Sequence, residues 1–486
     1  MNCADVLGLR KSAFVVFGTE VSGMVSHVDS GAWAEEQFGR CQLGDQRRTK
    51  RLVKVAAQVA NRPAGSLPEQ TAKWGDLKAA YRLFEADDVT FEAVATPHWE
   101  NTRRCGPGRY LVIGDTTELD FGKHRDIEGL GPTGNGSGRG FLLHNAMLVE
   151  AQTKSIVGLA GQAIHYRKSV PKKENARRKL KRRRESEVWG RVIDDIGPPP
   201  AGAQFIHVFD RGADNIEVFC HLRQQRCGGV IRAAQLTRKI LTPEGQTLPL
   251  SEYLKTLPLA GTYELELRAR PGQAARTAKL EVRFGPLSMP MPRHKSPYLK
   301  SFNPGTIALH VIHVREVNAP KGVKPIAWVL YTTLPVKTFE DAWQVVEYYE
   351  SRWLVEELHK AMKSGCGMTS RQLKTSARLE PLVALLSVEA VRLLQLKTMA
   401  RREPNRPARS IVPPLWLKML QLARKNLHRI HDLTIREFYR EVAKLGGFLG
   451  RKSDGEPGWI TIWRGWEKLH TLVQGAELAA KLEKSG

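Results

Sequence analysis

Long apolar runs are missing from this chain of 486 residues. Nothing approaches the ~18 consecutive apolar residues that a membrane-spanning helix requires, so no transmembrane helix is expected. The N-terminal stretch MNCADVLGLRKSAFVVFGTEV has only AFVVF as an apolar patch and no clear cleavage site, which does not read as a secretory leader. Cysteine is sparse. Cys3, Cys41, Cys105, Cys220, Cys227 and Cys366 include no CxxC pair, which argues against a zinc site or a disulfide framework and for reduced, structural thiols in a cytosolic protein. No internal repeat is present. Acidic residues are in deficit, 50 against 75 Lys and Arg, leaving a net charge of +25. With 42% apolar residues the chain has enough to build cores, and at about 150 residues per domain it should hold roughly three. A surface this basic points to a polyanionic partner, nucleic acid first and an anionic membrane surface second.

What is present starts with helices. The first thirty residues have no clear period and read as a loose extension. In LGDQRRTKRLVKVAAQVANRPAG, Asp45 is placed to cap a helix, Leu52, Val55, Ala56 and Val59 form an apolar stripe, and Arg47, Arg48, Lys50, Arg51 and Lys54 load the opposite face. That face is either solvated surface or a nucleic-acid contact, and the lack of acids after Asp45 favours the second as much as the first. Helical patterning continues through WGDLKAAYRLFEADDVTFEAVATPHW, so residues 31–105 should be all-helical.

The period then changes. RYLVIGDTTELDF, FLLHNAMLVEA, SIVGLAGQAI and QFIHVFDRGAD are short apolar or alternating runs between Gly, Pro and charged loops, as strands are. Residues 167–184 hold eleven Lys or Arg against one Glu. Such a run is a solvated tail or, inside a folded domain, a track for phosphates. Residues 236–330 are strand-rich again; GTYELELRARPGQAARTAKLEVRFG reads as a hairpin, with Leu265 and Leu267 in one arm, Leu280, Val282 and Phe284 in the other, and Pro271-Gly272 near the turn. After PIAWVLYTTLPV the chain is helical from Phe339 onward, with the Pro-rich RREPNRPARSIVPP as a linker between two helical stretches.

Three acids stand out by context: Asp115 and Asp210, each expected at the end of a buried strand, and Glu356 on the first helix of the C-terminal half. Singly, each has an ordinary explanation as a turn, cap or solvated residue. Together they are what a site for two hard divalent cations requires, and two such ions serve in-line phosphoryl transfer. Read as one helix, YYESRWLVEELHKAMK (348–363) lines up Tyr349, Arg352, Glu356, Lys360 and Lys363 on one stripe, with Glu357 pointing away.

These segments together resemble the DDE transposases of bacterial insertion sequences, specifically the insertion-sequence-four group that includes the Tn-five transposase. The signature is a Tyr, two residues, an Arg, three residues, a Glu, six residues and a Lys, here Tyr349, Arg352, Glu356 and Lys363. IGDTTELDF and VFDRGADN resemble the segments bearing the two aspartates, LGDQRRTKRLVKVAAQVA the DNA-binding region, and VEAVRLLQLK, KLGGF and WRGWEKL the C-terminal part.

The resemblance implies an α/β, ribonuclease H-like mixed-sheet catalytic core over 106–370, interrupted by a β-rich insertion at 236–330. A helical DNA-binding domain (31–105) and a helical dimerisation domain (371–486) would flank it. It implies that Asp115, Asp210 and Glu356 are catalytic and bind two Mg²⁺ ions, with Mn²⁺ as a substitute. DNA contacts would come from Tyr349, Arg352, Lys360, Lys363, Trp328 and Arg232, and from Arg47, Arg48 and Arg51 at the transposon end. By periodicity Trp328 reads as a strand-core residue, whereas the resemblance makes it the platform for a flipped base. The implied chemistry is cut-and-paste: strand cleavage, hairpin formation, hairpin resolution and strand transfer, in a homodimeric synaptic complex with double-stranded transposon-end and target DNA, in the bacterial cytoplasm at the nucleoid. A nuclease on the same fold, or an inactive DNA-binding regulator, are the alternatives. The first thirty residues, with Met24 as a second candidate start, have no recognised counterpart, and the run KKENARRKLKRRR is more basic than the resemblance leads one to expect for that loop.

Overall fold

The structure is a computed structural model that describes residues 29–71, 73–122, 126–168, 184–267, 274–302, 304–424, 433–451 and 454–483. The N-terminal extension with Met24, the Pro271-Gly272 turn and most of the basic run therefore lie outside the described residues. Among those described, no helix is long and apolar enough to cross a membrane. The strands are β1 (Gly108–Asp120), β2 (Gly131–Thr133), β3 (Gly138–Glu150), β4 (Ile156–His165), β5 (Ala203–Phe209), β6 (Gly228–Arg232), β7 (Lys239–Leu241), β8 (Thr247–Pro249), β9 (Leu259–Leu267), β10 (Arg276–Pro290), β11 (Thr306–Val317) and β12 (Ala327–Thr332). The chain divides into two compact units.

The first unit holds residues 102–118 and 141–356. Tyr110 to Ile113, Phe141 to Val149 and Phe205 to Phe209 are buried almost without a break, as befits strands covered on both faces. They lie in the order β4-β3-β1-β5-β6, with β3 and β4 antiparallel and with β1, β5 and β6 parallel, which is the ribonuclease H-like arrangement. Helices Glu187–Ile196 and Ile216–Gln224 supply Val192, Ile193, Phe219 and Leu222 to the core beneath them.

The insertion does not form a layer of its own. β12 pairs antiparallel with β6, β11 with β12, and β10 with β11, so the core sheet simply continues. Here burial alternates residue by residue along β10 and β11, the mark of a sheet with one face in water.

The second unit holds residues 29–101, 119–140 and 357–483. Helix Gln46–Asn61 starts where expected, its first-turn Arg47 N–H donating to the Asp45 carboxylate at 2.8 Å. The helical segments expected as separate N- and C-terminal domains share one core. Arg392, on helix Ser376–Arg402, is fully buried. It pairs with Glu389 at 2.7 Å, donates to the Ala60 carbonyl at 2.8 Å, and lies 5.2 Å from the centre of the Trp33 ring. Helices Ile435–Leu445 and Trp459–Glu483 cross with backbone nearly touching backbone. A Cβ on Gly446 would fall 1.7 Å from the Thr461 carbonyl oxygen, and one on Gly465 would fall 1.7 Å from that of Val442. This is the physical reason for glycine in KLGGF and WRGWEKL.

Candidate functional site

Asp115 sits inside β1, not at its end. The expectation failed because β1 runs on to Asp120, supported by β3 along its other edge, after its pairing with β5 has stopped at Ile113 opposite Val208. Carried forward two residues, that register sets Asp115 level with Asp210, the first residue after β5. In-register residues of parallel neighbours project from the same face, so both carboxylates leave the sheet together. Gly114 makes room on the other face, where a Cβ would stand 2.4 Å from the Phe209 ring. Asp210 is further fixed by accepting the Gly212 N–H at 2.8 Å.

The third acid arrives on a helix that is not continuous. Thr338 and Asp341 cap helix Phe339–Glu350 reciprocally, and a second helix runs over Trp353–Lys360. Between them the Ser351 hydroxyl donates back to the Glu347 carbonyl at 2.9 Å, and Arg352, Leu354 and Val355 bond three residues back. A back-bonded Ser bends a helix. After Lys360 the chain widens into a π-turn at Ala361–Gly365. The single stripe is thereby corrected: Tyr349 and Glu356 lie on different helices, and the wider turn takes Lys363 off the assumed register.

Arg352 brings the acids together. Its Nη1 donates to Asp115 Oδ2 at 3.0 Å and its Nη2 to Glu356 Oε1. Asp115 also accepts the Thr116 N–H at 2.7 Å. Burial, then the charge of Asp210, and more weakly that of Glu356, push the Asp115 carboxyl up to about 6 against the opposing pull of Arg352 and the Thr116 N–H. Burial opposes the charge on Arg352, but Tyr349, Asp115 and Glu356 outweigh it and raise its pKa. One guanidinium thus bridges Asp115 and Glu356, while Asp210 repels the Asp115 carboxyl.

Among the described residues no three His, Cys, Asp or Glu side chains already surround a common point. The donor set nevertheless fits a hard divalent cation in kind, being all oxygen, with one arginine against two of its carboxylates.

The other nominated residues are placed less uniformly. Trp328 is 5% exposed and packs edge-on against the buried Tyr349, ring centres 6.0 Å apart. In this conformation it is a core residue and offers no open ring face to a base. Arg232, at the end of β6, donates to the Ala327 carbonyl at 3.2 Å. Lys360 bonds Glu357 at 3.0 Å, so its charge is directed to the neighbouring glutamate. Lys363 is exposed. On the basic helix, Arg48 pairs with Asp88 at 2.6 Å and Arg51 with Asp76 at 3.0 Å, acids supplied by other segments. Arg47 is 91% exposed but bonds its own capping Asp45. At the described ends of the basic run, Arg167 pairs with Glu118 and Glu185, and Arg184 with Glu187 and Glu217.

Sequence reasoning missed the support behind Asp115. The Thr116 hydroxyl and His144 Nδ1 lie 2.8 Å apart, and His144 packs against Trp189 at 4.5 Å between ring centres. Burial, and secondarily His207, hold this imidazole down to about 3, hence neutral. The available signals were a hydroxyl directly after the aspartate in GDTT and a lone histidine in the apolar run FLLHNAML.

Comparison with known families matches residues 142–387 to the transposase DDE domain, residues 30–89 to the transposase DNA-binding domain, and residues 388–486 to the transposase Tn5 dimerisation domain. Among solved structures, the piggyBac transposase in a cryo-EM synaptic complex with hairpin DNA is similar at 11% identity and a TM-score of 0.37, over 90% of this chain and 86% of that one. That likeness is too remote to bear on mechanism.

Proposed function

The chain belongs to the DDE transposase family, DNA-cleaving and strand-transferring enzymes that use divalent metal ions, and from this we propose a cut-and-paste transposase working from Asp115, Asp210 and Glu356. The observation that carries the reading is Arg352 bridging Asp115, on a strand, to Glu356, on a helix, with Asp210 near enough for its charge to raise the Asp115 carboxyl. The three carboxylates would hold two Mg²⁺ ions, for which Mn²⁺ would substitute. When bound, such ions stabilise the attacking and leaving oxygens of an in-line phosphoryl transfer.

The protein's own residues supply position and charge. Thr116 holds one Asp115 oxygen through its N–H, leaving the carboxylate in one orientation. Arg352, charged under all ordinary conditions, keeps the repelling acids together until DNA binds, and its fork then suits a phosphate. Lys363 and Tyr349 would serve the same strand. The sequence of steps is attack of water at the transposon end, attack of the freed 3′-OH on the opposite strand to give a hairpin, hydrolysis of the hairpin, and attack of the 3′-OH on target DNA. Helical segments matched to DNA-binding and dimerisation domains would bind the ends and pair two protomers into the synapse.

The test is Asp115→Asn in a plasmid-cleavage assay with Mg²⁺ or Mn²⁺. Cleavage should fall by at least about 10³-fold, while binding to transposon-end duplex, which rests on phosphate contacts elsewhere, stays within a factor of about two. Cleavage at the parental rate would remove Asp115 from the chemistry.

A further inference from the structure

Trp74 is 75% exposed, unusual for a side chain of its size, and its position explains why. It opens helix Trp74–Phe84, whose Leu77, Ala80, Leu83 and Phe84 are buried. Counting by threes and fours, Trp74, Leu77, Tyr81 and Phe84 follow one stripe, so the apolar face of this helix runs a turn beyond the core that it serves. Gly75 beside it looks into open space: an added Cβ there would meet nothing within 4 Å. The indole therefore stands unobstructed at the surface.

Its surroundings are cationic. Asp76, two residues on, accepts from Arg51 at 3.0 Å and from Lys54 at 2.7 Å, which fixes this helix end to the basic face of helix Gln46–Asn61 and cancels the patch's acid. Lys73 and Lys78 flank it in the chain and are exposed, as is Lys50, one turn before Lys54 on the neighbouring helix. An exposed aromatic framed by cations, with its acid neutralised, suits a surface that is apolar within and anionic at its edges. A nucleic-acid groove is such a surface, with bases and sugars between two rows of phosphates.

We propose that Trp74 is a DNA-contact residue of the helical unit, laying its indole against the sugar and base surface of a duplex groove while Lys50, Lys73 and Lys78 take the flanking phosphates. This rests on the transposase reading and adds a contact that charge alone does not predict. An apolar contact displaces no condensed counterions, whereas each lysine on a phosphate does. The two parts of the patch are therefore separable by salt.

The experiment is a fluorescence-anisotropy titration of full-length protein with labelled duplex DNA at several salt concentrations. Trp74→Ala should weaken binding about tenfold with the slope of log K against log salt unchanged, and Trp74→Phe should recover most of the loss. Lys73→Ala should lower that slope by about one. Thermal unfolding of Trp74→Ala should match the parent, since the indole is outside the core. Parental affinity in Trp74→Ala, or equal affinity with a changed oligomeric state, overturns the proposal and makes the indole idle or a protein contact. If the parent itself binds no duplex, the transposase reading fails first.

Discussion

Glu356 and Glu357 are adjacent in sequence and live in opposite electrostatic conditions. Around Glu356 there are more acids than cations: Asp115 shares with it the single Arg352, and Asp115, repelled by Asp210 as well, is driven up to about 6. Around Glu357 there are more cations than acids. It accepts from Lys360 at 3.0 Å, from Lys397, and from the Trp459 indole N–H at 3.1 Å. Burial alone would raise its carboxyl, but the two lysines bring it down to about 2, while burial draws Lys397 down to about 8 against the pull of Glu357. At neutral pH both members of that pair stay charged. The contrast teaches how one helix can carry two adjacent acids in opposite surroundings: the first cluster holds more acid than cation, and the second more cation than acid.

The largest expected effect separates the two glutamates by activity. Glu356→Gln should abolish plasmid cleavage, and Glu357→Gln, measured well below its melting temperature, should keep most of it. Comparable cleavage by both variants would mean that the third acid has been misassigned and the contrast has no functional content.

Next in size is stability, where the order reverses. Glu357→Gln leaves Lys397 buried without its carboxylate, a loss of about 3 kcal/mol, whereas Glu356→Gln leaves Arg352 still bonded to Asp115 and should change stability little. A pH dependence accompanies this. A carboxyl at about 2 when folded and about 4.3 when unfolded contributes stability that is fully present above the unfolded value and is lost as pH falls through the folded one. Denaturation followed from pH 5 to 2 should show this acid loss in the parent and a shallower one in Glu357→Gln; identical slopes would detach Glu357 from the cluster.

How much of this could be read beforehand follows from the range of each interaction. The strand bearing Asp115 and the strand that Asp210 follows were legible because continuous apolar runs between loops can be little else in a core sheet. The start of the helix at Phe339 was legible from the change of pattern after PIAWVLYTTLPV, and the residues that cap it, Thr338 and Asp341, are local to it. The break at Ser351 was not, because no Gly or Pro announces it and a serine back-bond is sequence-silent. That β1 outlasts β5 depends on β3, which follows in the chain. The acids that neutralise Arg48 and Arg51 come from Asp88 and Asp76, far along the sequence. Likewise, Arg392 reaches Ala60 and Trp33 only once the fold exists. Local patterning carried the chemistry's residue types, and tertiary pairing decided which charges were free to act.

Asp210→Asn sharpens the comparison at smaller scale, because the expected sign is positive. Asp210 raises the Asp115 carboxyl by repulsion, so its neutralisation should stabilise the first unit by about 1 kcal/mol while eliminating cleavage. Asparagine can still accept the Gly212 N–H, so the turn is kept. A urea midpoint that falls instead would show that Asp210 is held for structure, and that the surplus of acid is only apparent.

The smallest effect concerns Lys360, which the sequence assigns to DNA and the structure bonds to Glu357. The bridge is half exposed on the lysine side, 50% against 11% for the glutamate, and solvent screening limits such pairs to about 0–1 kcal/mol. Lys397 and Trp459 remain to hold Glu357 when Lys360 is removed. Lys360→Ala should therefore cost less than about 1 kcal/mol, and its effect on DNA decides which cluster owns it. If Lys360 leaves Glu357 for a phosphate when DNA arrives, end-duplex affinity should drop and the salt slope should fall by about one. Unchanged affinity and slope would leave Lys360 with the structural cluster, and the cations serving the DNA strand beside Glu356 would reduce to Arg352 and Lys363.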